Sequence, residues 1–295
     1  MKRFFTTLFI LGILAAAWYL FIKEYDYQIN FKGAYGPASI YYDLLDAEAS
    51  NTENITAKKN FTNIIQHKTL GDTLYTFEWL LKPETDSTTQ ITVNIKDESN
   101  PFAARLNVLN PFDDFYSSNL KHYFIQFNKN LSQAQSAYAV KLGNKEKFEG
   151  GYCICASSRN KLNKKATEMT GLLSVIQQFF DKNNVKPSGN PLLYVSNWDV
   201  DNSEITFEFC FPINQRDSLE TTTGTTLKTL PSFNALTAEF TGNYAFSHRS
   251  WADLLLKAKR EDIPVKKNLI EVYYNNPMVE IEATKWKSKI YMPLK

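Results

Sequence analysis

The chain has 295 residues, of which 43% are hydrophobic and 14% aromatic, enough for two ordinary domains with a core in each and too apolar for a disordered chain. Its 33 basic and 31 acidic residues interleave to a net charge of +2, so there is no basic stripe to track a phosphate backbone and nucleic acid is excluded as the expected partner. Cys153, Cys155 and Cys210 are too few for a disulfide framework, and their odd number leaves at least one thiol free or intermolecular.

The first signal along the chain is Phe4–Ile22, which carries no charge and spans about 28 Å as a helix, enough to cross a bilayer. Lys2 and Arg3 precede it, while Lys23 and Glu24 close it. This bias predicts a single-pass anchor with its N-terminus in the cytoplasm and residues 25–295 outside, as in a bacterial inner-membrane protein. A cleaved signal peptide would use Ala15, Ala16 and Ala17, but Trp18 to Ile22 prolongs the apolar run past that site, which favours the uncleaved anchor. No cysteine lies near the end of the run to carry a lipid.

Next come a strand over residues 27–31, the turn Gly36-Pro37, and a helix over 38–45 with Pro37 suited to its first position. Residues 55–65, 73–81 and 89–95 are rich in β-branched and aromatic side chains and read as strands, the last two joined by a loop over 82–87. From Phe112 the period becomes helical, and Phe115, Tyr116, Leu120, Tyr123, Phe124 and Phe127 share a face that reads as core before ligand wall. This order is similar to the helix-grip (SRPBCC or START-like) fold, and the resemblance implies a curved antiparallel sheet wrapped around a long helix. The polar stretch 143–151 reads as the domain boundary. The expected organisation is α+β: an anchor at 1–24, a helix-grip domain at 25–142 and a second domain at 148–295.

Within that second domain, residues 152–213 and 233–294 read as two copies of a strand-helix-strand-strand unit. In the first copy the strands are 152–156, 192–195 and 205–213 and the helix 171–180; in the second the strands are 235–240, 269–273 and 286–294, with a helix around Trp251, Leu254, Leu255 and Ala258. Pro212 and Pro293 end the two closing strands alike. A duplicated unit predicts a pseudo-twofold axis with a cleft where the copies meet.

Phe240-Thr241-Gly242-Asn243-Tyr244, the Trp-bearing helix, Leu269-Ile270-Glu271-Val272-Tyr273-Tyr274-Asn275-Asn276-Pro277 and the terminal Tyr291-Met292-Pro293-Leu294-Lys295 together resemble the GyrI-like, or AraC-type effector-binding, family. The resemblance implies a cleft that binds a small amphipathic, often cationic, molecule between aromatic rings and a strand-borne carboxylate, where rings and carboxylate replace the hydration of a cation. It implies Glu208 as that carboxylate, with Lys289 at the matching position of the second copy and Tyr273, Tyr274 and Trp286 as the aromatic wall. The bland alternatives stand beside these roles: Glu208 on the solvated side of its strand or paired with Lys289 across the twofold, and the three aromatics as core. Glu271 matches a carboxylate of the family motif and reads as serving the fold.

His67, His122 and His248 are isolated, and Cys-x-x-Cys, Gly-x-Ser-x-Gly and phosphate-cradling motifs are absent from the sequence, so neither metal, cofactor nor catalytic machinery is expected. Cys153 and Cys155 share a face of their predicted strand and read as small buried hydrophobes. Some members of the resembled family are hydrolases, which offers Glu208 a second role as general base. The reading favours a non-catalytic binder or sensor over that hydrolase, and the sequence names no protein partner. An effector-responsive regulator would need a helix-turn-helix, and the sequence has an anchor and a β-rich domain in its place.

Overall fold

A computed structural model describes residues 2–49, 54–59, 61–108 and 119–295. The chain forms two compact units, Met1–Gln133 and Ala134–Lys295.

The first unit opens with helix α1, Lys2–Ala17, continued by a π-helical stretch, Trp18–Ile22. Phe4–Ile22 is long and apolar enough to cross a membrane and is not buried within the protein. Its last turn is tied down by helix α3, Pro101–Val108, which the sequence reading missed. The Arg105 guanidinium donates to the carbonyls of Leu20 (2.7 Å) and Lys23 (2.6 Å) and to Asp26 (2.5 Å), whose other oxygen accepts from the Asp97 backbone N–H at 2.8 Å. Both charges are buried, and each hydrogen bond replaces part of the hydration they give up.

Strands β1 (Tyr27–Gly33), β2 (Asn54–Lys59), β3 (Asn63–Leu70), β4 (Thr73–Pro83) and β5 (Thr89–Asp97) form an antiparallel sheet in the order β1-β5-β4-β3-β2. Alternation buries Tyr75, Phe77, Trp79 and Leu81 of β4 on one face, as the period-2 pattern predicts. Helix α4, Leu120–Ser136, lays Tyr123 and Phe124 on Phe77 (5.5 and 5.7 Å between ring centroids) and Phe127 on Trp79 (4.8 Å). Phe124 is core and Tyr123 and Phe127 are half-buried beside it, while Phe112, Phe115 and Tyr116 of the predicted stripe lie outside the described residues. Helix α2 runs over Pro37–Ala49. The strand predicted over 55–65 is instead two strands. Phe61 adopts φ 59° between them and packs its ring on Tyr41 (5.3 Å) and Tyr42 (6.0 Å). A buried aromatic at positive φ makes this turn, and no glycine or proline advertises it.

The second unit is an eight-stranded antiparallel sheet in the order β10-β7-β9-β8-β12-β13-β11-β6. Its strands are β6 (Tyr138–Phe148), β7 (Gly151–Lys161), β8 (Leu192–Asp199), β9 (Glu204–Pro212), β10 (Thr225–Leu230), β11 (Phe233–Gly242), β12 (Leu269–Tyr273) and β13 (Lys287–Pro293). Helices α5 (Lys165–Asn183) and α6 (His248–Arg260) cover one face. In chain order β7, α5, β8 and β9 are followed by β10 and then by β11, α6, β12 and β13, with β6 and β10 at the edges of the sheet.

Residues 143–151, read as a boundary, are the end of β6 and a tight turn into β7. Their glycines answer to close packing: a Cβ at Gly143 would lie 2.5 Å from the Thr237 hydroxyl, and Gly150 turns at φ 76° against the Leu230 carbonyl. The units part earlier, after Gln133.

Candidate ligand-binding site

Strand β12 alternates Ile270 and Val272 to one face of the sheet with Glu271 and Tyr273 to the helix-covered face. Glu271 is fully buried there. One of its oxygens accepts from the Trp251 indole N–H at 3.0 Å and from the Ser247 hydroxyl at 2.9 Å, and the other accepts from Ser288 on β13 at 2.6 Å. Ser247 and Trp251 are four apart at the start of α6, so one helical turn aims both donors at the same carboxylate.

The fourth neighbour is a cation. Lys165, at the first turn of α5 and 1% exposed, holds its Nζ 3.9 Å from Glu271, donates to the Ser247 hydroxyl and sits 4.7 Å from the centre of the Trp251 ring. Burial pulls its pKa down to about 8 and the Glu271 charge opposes that fall. His248 is also buried; loss of water, then the charges of Lys165 and Arg249, hold it well below the usual histidine range. It is neutral at pH 7, its Nδ1–H donating to the Ala245 carbonyl at 3.1 Å.

Aromatic rings extend the site. Tyr244 lies 4.6 Å from Tyr273 and 5.2 Å from Trp286, and Trp198 meets Trp251 edge-on at 5.8 Å. Burial, followed by the Glu271 charge, raises the Tyr273 phenol well above its ordinary range, and burial raises Tyr244 to about 12, so both remain hydrogen-bond donors at pH 7.

The residues singled out from sequence divide between the two faces. Tyr273 and Trp286 belong to the group around Glu271. Glu208 accepts from Lys228 at 2.6 Å and Lys289 donates to Glu146 at 2.7 Å, while Tyr274 is 47% exposed and carries a phenol raised to about 12 by burial and then by Tyr291. The alternative of a Glu208–Lys289 pair is not realised, because β8 and β12 stand between their strands and set them roughly 14 Å apart at about 4.8 Å per strand. The pairs that do form occupy equivalent registers with their signs exchanged. Glu208 and Lys289 each lie four residues before the terminal proline of their strand; Lys228 faces Cys153, which faces Pro212, and Glu146 faces Ala235, which faces Pro293.

Beside Glu208, Cys155 is joined to Cys210 in a disulfide, so the reading of the cysteines as unbonded small hydrophobes holds for Cys153 alone, a buried thiol pushed up to about 11 by burial. Although Cys155, Glu208 and Cys210 bring ligand-type atoms within 4.8 Å of one another, the bonded sulfurs offer no thiolates to a metal. Sequence reasoning passed over Lys165, Ser247, Trp251 as a donor, and Ser288. The serine–tryptophan spacing was a usable signal; Lys165, in a run of polar residues, gave none.

Residues 143–295 match the GyrI-like small molecule binding domain. No curated protein matches the sequence. Among solved structures, the EcmrR C-terminal domain is similar at 14% identity, over 54% of this chain and 98% of that one, with a TM-score of 0.44. SAV2435, solved bound to tetraphenylphosphonium, is 13% identical over 54% of this chain and 93% of its own, with a TM-score of 0.37. A hydrolase encoded by lin2189 from Listeria innocua is 10% identical over 57% of this chain and 98% of its own, with a TM-score of 0.33. With the matched segment covering more than half of its length, the chain belongs to the GyrI-like small molecule binding domain family.

Proposed function

We propose that the protein is a membrane-anchored binder or sensor of a small amphipathic molecule, held on the helix-covered face of the second unit beside Glu271. The observation that carries this reading is a buried carboxylate satisfied by hydroxyl and indole donors, with the Lys165 ammonium 3.9 Å away, and bordered by Trp251, Tyr273, Tyr244 and Trp286, a polar point within an aromatic wall. The same reading treats the unit as a duplication. Each outer strand flanks the first strand of a copy, the closing strand comes next, and the two middle strands meet at β8–β12. The exchanged ion pairs at matching registers support it. On this view Lys165 comes from the first copy and Glu271, Trp251 and Ser288 from the second, so the site lies where the copies join.

Anchoring rests on Phe4–Ile22, and placement of residues 25–295 outside the cytoplasm is favoured by the disulfide, a bond that persists in oxidising compartments. The test is native mass spectrometry of full-length protein released from its host membrane in mild detergent, followed by titration of the bound compound. Trp286→Ala is expected to weaken binding about tenfold, the scale of one aromatic contact, and Glu208→Gln to leave it unchanged. The reverse pattern would move the ligand to the opposite face, where the family resemblance sets its carboxylate at Glu208.

A further inference from the structure

A carboxylate sunk among indole and phenol rings is, by its chemistry, a receptor for an organic cation. In this protein that receptor already holds one. Building on the ligand reading above, we propose that Lys165 is an internal cation that neutralises Glu271 and makes the site selective for uncharged amphipathic molecules against organic cations.

The geometry leaves a cation little to gain. A carboxylate offers about four lone-pair positions. The hydroxyls of Ser247 and Ser288 and the Trp251 indole take three, and the Lys165 ammonium lies 3.9 Å from the oxygen that Ser247 and Trp251 share. One face of Trp251 is taken by the same ammonium, 4.7 Å from the ring centre. An incoming cation must therefore displace Lys165 from ring, carboxylate and Ser247 together, and a displaced ammonium at the buried start of α5 has no water to receive it. An anion meets the converse difficulty with Glu271. A neutral molecule whose acceptor oxygen takes the Tyr273 phenol from its weak acceptor, the Met169 sulfur at 3.8 Å, with its rings on Tyr244, Tyr273 and Trp286, disturbs neither charge. Lys165 is thus a specificity-determining residue that acts by occupying the cation's place.

Three probes of similar shape separate the cases: tetraphenylphosphonium, tetraphenylborate and neutral triphenylphosphine oxide. Each is titrated calorimetrically into full-length protein in nonionic detergent against a detergent blank. Wild type is expected to bind the oxide at least tenfold more tightly than either ion. Lys165→Met is expected to raise tetraphenylphosphonium affinity at least tenfold without strengthening the oxide, and Lys165→Met with Glu271→Leu to abolish that gain. Lys165→Gln keeps a donor to Ser247 and carries the test if the methionine variant melts early. Tetraphenylphosphonium binding as tight as the oxide in wild type, or a preference unchanged by both Lys165 variants, overturns the inference and leaves the ligand reading standing. Absence of binding by every probe in every folded variant overturns both.

Discussion

The disulfide between Cys155 and Cys210 invites a quantitative test, because it joins β7 to β9 across 55 residues that include α5 and β8. The two strands are already paired through a nine-residue register, so the bond adds little order to the folded sheet and acts chiefly on the unfolded chain. Closing a loop of that length gives roughly 4 kcal/mol of stabilisation at 25 °C on the chain-entropy estimate. With a urea dependence of about 2 kcal/mol/M for a unit of this size, opening the bond is expected to lower the unfolding midpoint by roughly 2 M. The perturbation is Cys155→Ala with Cys210→Ala, the control is Cys153→Ala, and the assay is urea unfolding followed by tryptophan fluorescence. Thiol titration in denaturant is expected to find one thiol in protein taken from the host membrane, and three in a chain begun at residue 25 and kept in a reducing cytoplasm. Three thiols in the membrane-derived protein, or a midpoint shift under about 0.3 M in the double variant, would refute both the bond and the compartment inferred from it.

Two other outcomes follow from buried groups and tight turns. Between pH 8 and 9 the unfolded chain binds more protons at Lys165 than the folded one, whose ammonium titrates near 8 against an ordinary 10.5, so unfolding free energy is expected to rise with pH by at most about 1.4 kcal/mol per unit. Above pH 9, Cys153 opposes this, since the folded state keeps until about pH 11 a proton the unfolded chain loses; comparing melts of wild type and Lys165→Met isolates the lysine, and equal slopes would contradict its burial as an ion. Gly150→Ala places a Cβ against the Leu230 carbonyl and the backbone of Pro231 and Ser232 at φ 76°, and is expected to destabilise the second unit by roughly 2 kcal/mol, measured by urea unfolding. No measurable loss would mean that the β6–β7 turn relaxes freely.

Much of the sheet was legible because its strands obey one period. The Tyr75, Phe77, Trp79 run and the Leu269 to Tyr273 motif announce their faces directly. Edge strands were harder. Strand β6, with Lys141, Lys145, Glu146 and Lys147, and the threonine-rich β10 carry the polar residues that protect an edge from pairing, so the later half of β6 reads as a boundary and the sequence reading assigns no element to β10. The site was half legible for a related reason. Tyr273 and Trp286 sit on elements with strong motifs, but the partner of Glu208 depends on β10 lying beside β7, and that of Glu271 on α5 delivering Lys165 from more than a hundred residues away. Cys155 and Cys210 likewise became a pair only through the β7–β9 register. Long-range register is set by the packing of whole elements, which a local pattern does not record.

The Arg105 joint bears on how the first unit meets a bilayer. Four residues separate Ile22, the end of the apolar helix, from Tyr27, the start of β1, a span of about 15 Å when extended. Arg105 binds the Leu20 carbonyl in the helix and, within the gap, the Lys23 carbonyl and the Asp26 carboxylate, which braces the connection at both ends. In the proposed spanning arrangement, any tilt of the helix within the lipid becomes a rotation of the five-stranded sheet, as a mast turns the platform bolted to it. In that arrangement a change in bilayer thickness, which alters helix tilt, reorients the sheet without any ligand at all.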